Sequence, residues 1–137
     1  MENTFRRFMK QNVAPHENTF YEISKRFCEE DGTPIKFEFR ALTSKDVDDS
    51  RDSAITKTRR GITGVNSTVL MHNLITKALV FPDLEDKELQ DSYGVYGASA
   101  LIGVMFDAKE YTTLSDIVGA LAGFDQDTDE LKAEAKN

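Results

Sequence analysis

The chain has 137 residues, 39% hydrophobic and 30% charged, with 24 acidic side chains against 17 basic ones and a net charge of −7. A chain of this length suits one domain with a single core, burying about two-thirds of its unfolded surface. The acidic balance repels phosphate and argues against DNA or RNA as partner, no apolar run of about eighteen residues predicts a membrane span, and the lone Cys28 suits a reducing compartment.

The opening MENTFRRFMKQN lacks the apolar centre of a secretory signal. Phe5, Phe8 and Met9 share one face of a short helix, with Arg6, Arg7 and Lys10 around them, and Pro15 ends it. This arm either docks on the core or frays, or it binds a partner as a peptide. The period then changes. In FYEISKRF, Tyr21, Ile23 and Phe27 alternate; in IKFEFRA, Ile35, Phe37, Phe39 and Ala41 face one way and Lys36, Glu38 and Arg40 the other. Asp31-Gly32 between them signals a turn, so an antiparallel hairpin is expected. A lone hairpin is marginal in water. The helices that follow are its natural cover, which makes the fold α+β.

Thr43 is the expected N-cap of a helix to about Thr58, with Asp46 in its first turn and Val47, Ala54 and Ile55 packing. RRGITGVNST, residues 59–68, reads as a loop. From Ser67 or Thr68 a second helix carries Leu70, Met71, Leu74, Ile75, Ala78 and Leu79 as an apolar stripe until Pro82 stops it. Asp83 can cap a short helix through Ser92, after which Gly94 supplies a left-handed turn. A helix from Ala98 to Phe106 follows. Asp107 caps another that faces inward with Tyr111, Leu114, Ile117, Val118 and Leu121, and Gly123 and Phe124 close it. From Asp125 the chain is acidic and short of apolar residues, as a mobile tail would be. The expected architecture is an N-terminal antiparallel β-hairpin packed against a bundle of about four or five helices. Residues 1–18 form an arm, 19–124 the domain and 125–137 the tail.

No candidate for chemistry outweighs a structural role. GITGVNST lacks the Lys and the glycine spacing of a phosphate loop, and Lys57, Arg59 and Arg60 beside it fit a solvated loop better than an anion site. Asp46, Asp48 and Ser50, like Asp125, Asp127 and Asp129, imitate the first ligands of a calcium loop. Arg51 and Glu130 stand where that loop needs Gly, and Lys57 and Lys136 where it needs Glu. His16, His72 and Cys28 have no metal-ligand spacing. His72 sits beside the apolar stripe as a packed or boundary side chain. Cys28 stands at a strand end before an acidic turn, a poor place for a nucleophile. The carboxylates of LEDKELQDSYG lie on a short exposed helix with nothing to desolvate them. That stretch reads as architecture: Leu84 and Leu89 anchor it, Tyr93 packs and Gly94 turns the chain. No catalytic, cofactor-binding or metal-binding residue is expected.

KELQDSYG at Lys87–Gly94, EYTTL at Glu110–Leu114, GFD at Gly123–Asp125 and the upstream GTPIKFEFRALTSKD together resemble the XkdN-like family of phage tail assembly chaperones. The resemblance covers residues 19–137. It departs at Ala108-Lys109-Glu110-Tyr111, where Gly is expected before Glu-Tyr, and at YGASALIG, where the family tends to show Pro and acidic residues. It implies a non-enzymatic role in building the tail of a myophage or a defective prophage particle, in the cytoplasm of the bacterial host, and absence from the mature virion. The implied partners are the tape-measure protein, kept soluble until the tube grows, and the tail-tube protein; no cofactor, nucleic acid or membrane is implied. The alternative is a structural tail component retained in the particle. Candidate contact residues are Phe5, Phe8 and Met9 of the arm, and Tyr93, Tyr96 and Tyr111 near the family motifs. Tail chaperones of several phage classes are made in two lengths by frameshifting. The final Ala-Lys-Asn is encodable as GCA AAA AAC, which holds a slippery heptamer, so a longer tube-recruiting form is an expectation that the gene sequence decides.

Overall fold

The structure is a computed structural model and describes residues 2–61 and 63–124. The tail expected at 125–137 lies outside the described residues. Six helices and five strands are described. The fold is α+β, as the sequence implies. Strand β1 (Thr19–Glu22) pairs antiparallel with β2 (Lys36–Phe39), Tyr21 opposite Phe37 and Thr19 opposite Phe39. The alternation in IKFEFRA holds: Phe37 and Phe39 are buried and Lys36 is exposed.

The first strand is shorter than expected. It stops at Glu22, and residues 23–35 make an excursion before rejoining the sheet. A Ser24–Phe27 turn starts it, and Gly32, with φ 89°, closes the Glu29–Thr33 turn. Asp31 Oδ1 accepts from Thr33 N at 2.9 Å within that turn. The detour carries Phe27 into an aromatic cluster with Phe37 and Phe106, ring centroids 5.4 to 6.1 Å apart. Each such ring pair adds about 1 kcal/mol to its area burial.

Two further strands lie where a helix and a loop were expected. Helix α2 (Ser44–Asp52) begins at the Thr43 cap, closed by a capping box with Asp46. It ends six residues early, because β3 (Ile55–Lys57) leaves to pair with β4 (Thr63–Val65), Ile55 opposite Val65. Ile55, expected to pack, is exposed on this two-stranded ribbon. Helix α3 (Ser67–Ala78) is capped by Asn66, whose Oδ1 accepts from Thr68 N and Val69 N at 3.1 Å. It stops at Ala78, and Leu79–Phe81 become strand β5 on the free edge of β2. The pyrrolidine of Pro82 clashes with a helical carbonyl four residues back and pushes Phe81 into extended backbone. Once freed, Leu79, Val80 and Phe81 are good strand formers. The main sheet therefore runs β1-β2-β5.

A short α4 (Lys87–Ser92), α5 (Ala98–Met105) and α6 (Ala108–Leu121) complete the domain. Asp107 caps α6 as expected, again with a capping box, to Glu110. Helix α3 is the hub, packing against α2, α5 and α6. Its Leu74, Ile75 and Ala78 meet Phe37 and Phe39 from the sheet and Leu101, Ile102, Leu114 and Val118 from the last two helices. Helix α1 (Glu2–Arg6) and the turns after it carry Phe5, Phe8 and Met9 outside this core.

Leu74 is fully buried at that junction. Leu74→Ala is expected to lower unfolding stability by about 3 kcal/mol. Phe20→Ala, on the exposed face of the sheet, should change it by less than about 0.5 kcal/mol. Urea titrations of both variants check the contrast.

Candidate functional site

The polar stretch from Leu84 to Gly97 is held together from within. Asp83 Oδ1 accepts from Glu85 N at 3.0 Å in a local turn. Asp86, rather than Asp83, caps α4, accepting from Leu89 N at 2.9 Å. Gln90 is 7% exposed; its Nε2 donates to Leu84 O and its Oε1 accepts from Gly97 N, both at 2.9 Å. One side-chain amide thus staples the entry of the short helix to the start of α5. Gly94 and Gly97 turn the chain with φ of 69° and 96°. Leu84 is buried and Leu89 half-buried, as anchors. Tyr93, expected to pack, is 39% exposed, and Tyr96 on the loop between the glycines is 85% exposed. The stretch is architecture that ends by lifting Tyr96 off the body.

The second polar anchor joins residues 84 positions apart. Arg26, on the excursion after β1, donates from Nε to Glu110 Oε2 at 2.8 Å and from Nη2 to Glu110 Oε1 at 2.5 Å. Its Nη2 also donates to Met105 O at 3.0 Å, and its guanidinium lies over the Phe27 ring. Glu110 is 3% exposed while the Arg26 side chain is 55% exposed, so the carboxylate is buried under a cation that still touches water. The same Oε1 accepts from Asp107 N, closing the α6 capping box. The hydrogen bonds from Arg26 hold the Glu110 carboxyl at about 2, against an ordinary 4.5, although burial pushes the other way. A smaller copy of this arrangement ties β2 to α2. Arg40 Nη1 donates to Asp46 Oδ2 at 3.0 Å, and with the Thr43 backbone N–H it brings Asp46 from 3.8 to about 2.

An open cavity of about 460 Å³ lies between α2, α3 and the α4–α5 corner, with Ser53, His72, Lys77, Glu85, Gln90 and Ser99 among its lining residues. His72 Nδ1 and Ser99 Oγ share a hydrogen bond of 2.7 Å, and the edge of the imidazole meets Tyr111 with ring centroids 5.7 Å apart. Burial lowers the His72 pKa, which keeps the ring neutral near pH 7. A Ser–His pair needs a third group to orient the ring for nucleophilic work. None bonds the far nitrogen among the described residues. Asp46 and Ser50 of the calcium-like pattern are part of helix α2, and GITGVNST folds into β4 and the cap of α3.

What remains is surface. Phe5 and Phe8 are 70% and 75% exposed, and Met9 and Val13 are exposed beside them. On the outer face of the sheet Phe20, Glu38 and Phe81 stand in one cross-strand row, with Asn18 donating to Glu38. Of the six candidate contact residues, Phe5, Phe8 and Met9 are exposed on the arm, Phe5 on α1 and the other two on the turns after it, and Tyr93 and Tyr96 are exposed at the α4–α5 corner. Tyr111 is half-buried on the core against His72. The sheet pair was missed because β5 was missed. The Arg26–Glu110 pair was missed because nothing local in either segment points to the other.

The family model for the phage XkdN-like tail assembly chaperone protein matches residues 5–136. Two proteins of Bacillus subtilis (strain 168) are similar over 138 aligned residues, 95% of this chain and 91% of each relative. They are the uncharacterized protein YqbN, at 27% identity, and the phage-like element PBSX protein XkdN, at 25%. The crystal structure of YqbN shares the fold, with a TM-score of 0.74 at 22% identity over 87% of this chain and 95% of that one.

Because Glu110 titrates lower folded than unfolded, it contributes stability that is complete above about pH 4.5 and lost as pH falls through about 2. Asp46 adds a second contribution, lost from its ordinary 3.8 downward. Unfolding followed from pH 7 to 2 should show a steep acid limb for the native chain and a shallower one for Glu110→Gln, which starts less stable at pH 7. Gln90→Ala leaves Leu84 O and Gly97 N without their partner and should cost about 1–3 kcal/mol, measurable by thermal unfolding.

Proposed function

We propose, from the premise that this chain belongs to the phage XkdN-like tail assembly chaperone family, that it binds the tape-measure protein in the host cytoplasm, keeps it soluble and helps to recruit tail-tube subunits. One observation carries the reading onto this chain. The family match begins at residue 5, on an arm that holds Phe5, Phe8 and Met9 outside the core. Exposed large apolar side chains on one short arm suit contact with another apolar surface. A long amphipathic helix waiting for its tube exposes an apolar stripe and aggregates, and a helix-in-groove or helix-on-helix contact covers that stripe.

The net charge of −7 supports the same role, since it keeps a complex with an insoluble client in solution. A short arm buries little area, as weak and transient contacts do, which suits a protein displaced by a growing tube. Tyr93 and Tyr96 are a second candidate contact, and Tyr111, half-buried against His72, is a third. The chaperone leaves the tail and is absent from the finished particle.

Co-expression with the tape-measure protein of the same phage or prophage tests the reading. The client is expected to move to the soluble fraction and to co-purify. Replacing Phe5, Phe8 and Met9 together by Ser should weaken capture by about tenfold or more without changing the melting temperature. An insoluble client with no co-purification defeats the reading. Mass spectrometry of purified particles should find none of this chain.

A further inference from the structure

From Ser53 to Pro82 the chain carries no Asp or Glu, in a protein that has 24 of them. The β3–β4 ribbon lies in that stretch and stands clear of the body, every described residue of both strands being exposed. Lys57, Arg59 and Arg60 lie at its tip, all exposed and in no ion pair among the described residues. Its cross-strand pair, Ile55 opposite Val65, is exposed at 45% on both sides. A bare two-stranded ribbon with an apolar pair is marginal in water unless something covers it.

The complementary surface is on the same molecule. Glu85, Glu88 and Asp91 on and beside α4 are exposed, and they too make no ion pair among the described residues. One residue beside each patch borders the same opening, which Lys77 and Lys87 also line. Ser53, from which the ribbon springs, and Glu85 both line the cavity between α2 and the α4–α5 corner. A two-fold dimer makes such contacts in reciprocal pairs, the ribbon of each copy meeting the acidic corner of the other, which closes the assembly.

We infer that two copies of this chain associate through this face, the basic ribbon tip of each seated on Glu85, Glu88 and Asp91 of the other and the Ile55–Val65 pair covered between them. The occupant is a second copy because both halves of the charge match are present on one chain. The inference does not rest on the tape-measure reading, and its failure leaves that reading untouched.

Sedimentation equilibrium of the whole chain tests it. A dimer, twice 15.4 kDa, is expected at low ionic strength. It should weaken at about 1 M salt, where the Debye length is about 3 Å. Lys57→Glu, Arg59→Glu and Arg60→Glu combined should raise the dissociation constant by at least about a hundredfold. So should Glu85→Lys, Glu88→Lys and Asp91→Lys combined. Asp83 and Asp86 are left in place because their carboxylates accept backbone N–H bonds. All six positions are exposed, so circular dichroism should match the native chain. An equimolar mixture of the two reversed variants should recover the dimer, since each then meets opposite charge at both contacts. A native chain that stays monomeric at low salt overturns the inference. So do reversed variants that remain dimers, a mixture that stays monomeric, or masses that climb beyond the dimer with concentration, which would mean an open head-to-tail chain.

Discussion

Residues 67–81 belong to both layers of the domain, and the rest of the fold depends on that sharing. Helix α3 buries Leu74, Ile75 and Ala78 against the sheet and the last two helices, and within one residue the backbone turns into β5 on the edge of β2. The backbone N–H of Arg40 reaches Ala78 O at 2.9 Å, where helix gives way to strand. A hairpin with one apolar face is marginal alone. Here it gains a third strand that is covalently continuous with the helix packed on that face. Sheet and bundle are therefore coupled through the backbone as well as through side chains.

The local signals in the sequence were the ones governed by short-range physics. Strict alternation from Ile35 to Ala41 located β2, and the capping chemistry of Thr43 with Asp46 and of Asp107 located the starts of α2 and α6. The six-residue stripe located α3. The strands of three residues left no readable period: Ile55–Lys57 passed for the end of a helix, Thr63–Val65 for a loop and Leu79–Phe81 for more helix. Such segments become strands only when a partner edge is in place, which is tertiary information.

The same limit applied to the polar anchors. Arg26 and Glu110 looked like ordinary surface charges, and their pairing depends on the excursion after Glu22 returning over the start of α6. Gln90 sat among four carboxylates that drew attention, yet it is the buried member of that group. Tyr93 was expected to pack because aromatic side chains near helix ends usually do, but the staple at Gln90 had already settled the corner. The apolar residues of the arm were readable, although α1 stops at Arg6 and leaves Phe8 and Met9 on the turns after it, off the single helical face expected. The arm's position outside the core was not readable, because a docked arm and a free one share the same pattern.

Gly94 and Gly97 also bear on how this corner can drift in sequence. A Cβ built on either would meet nothing within 4 Å, so neither glycine is there for lack of room. The barrier to replacement is torsional. Gly94, at φ 69°, is in the left-handed region that Asn tolerates at modest cost. Gly97, at φ 96° and ψ 149°, is in a region that is nearly glycine's alone. A saturation scan would therefore find one position that admits Asn and one that admits almost nothing, although both face open solvent space.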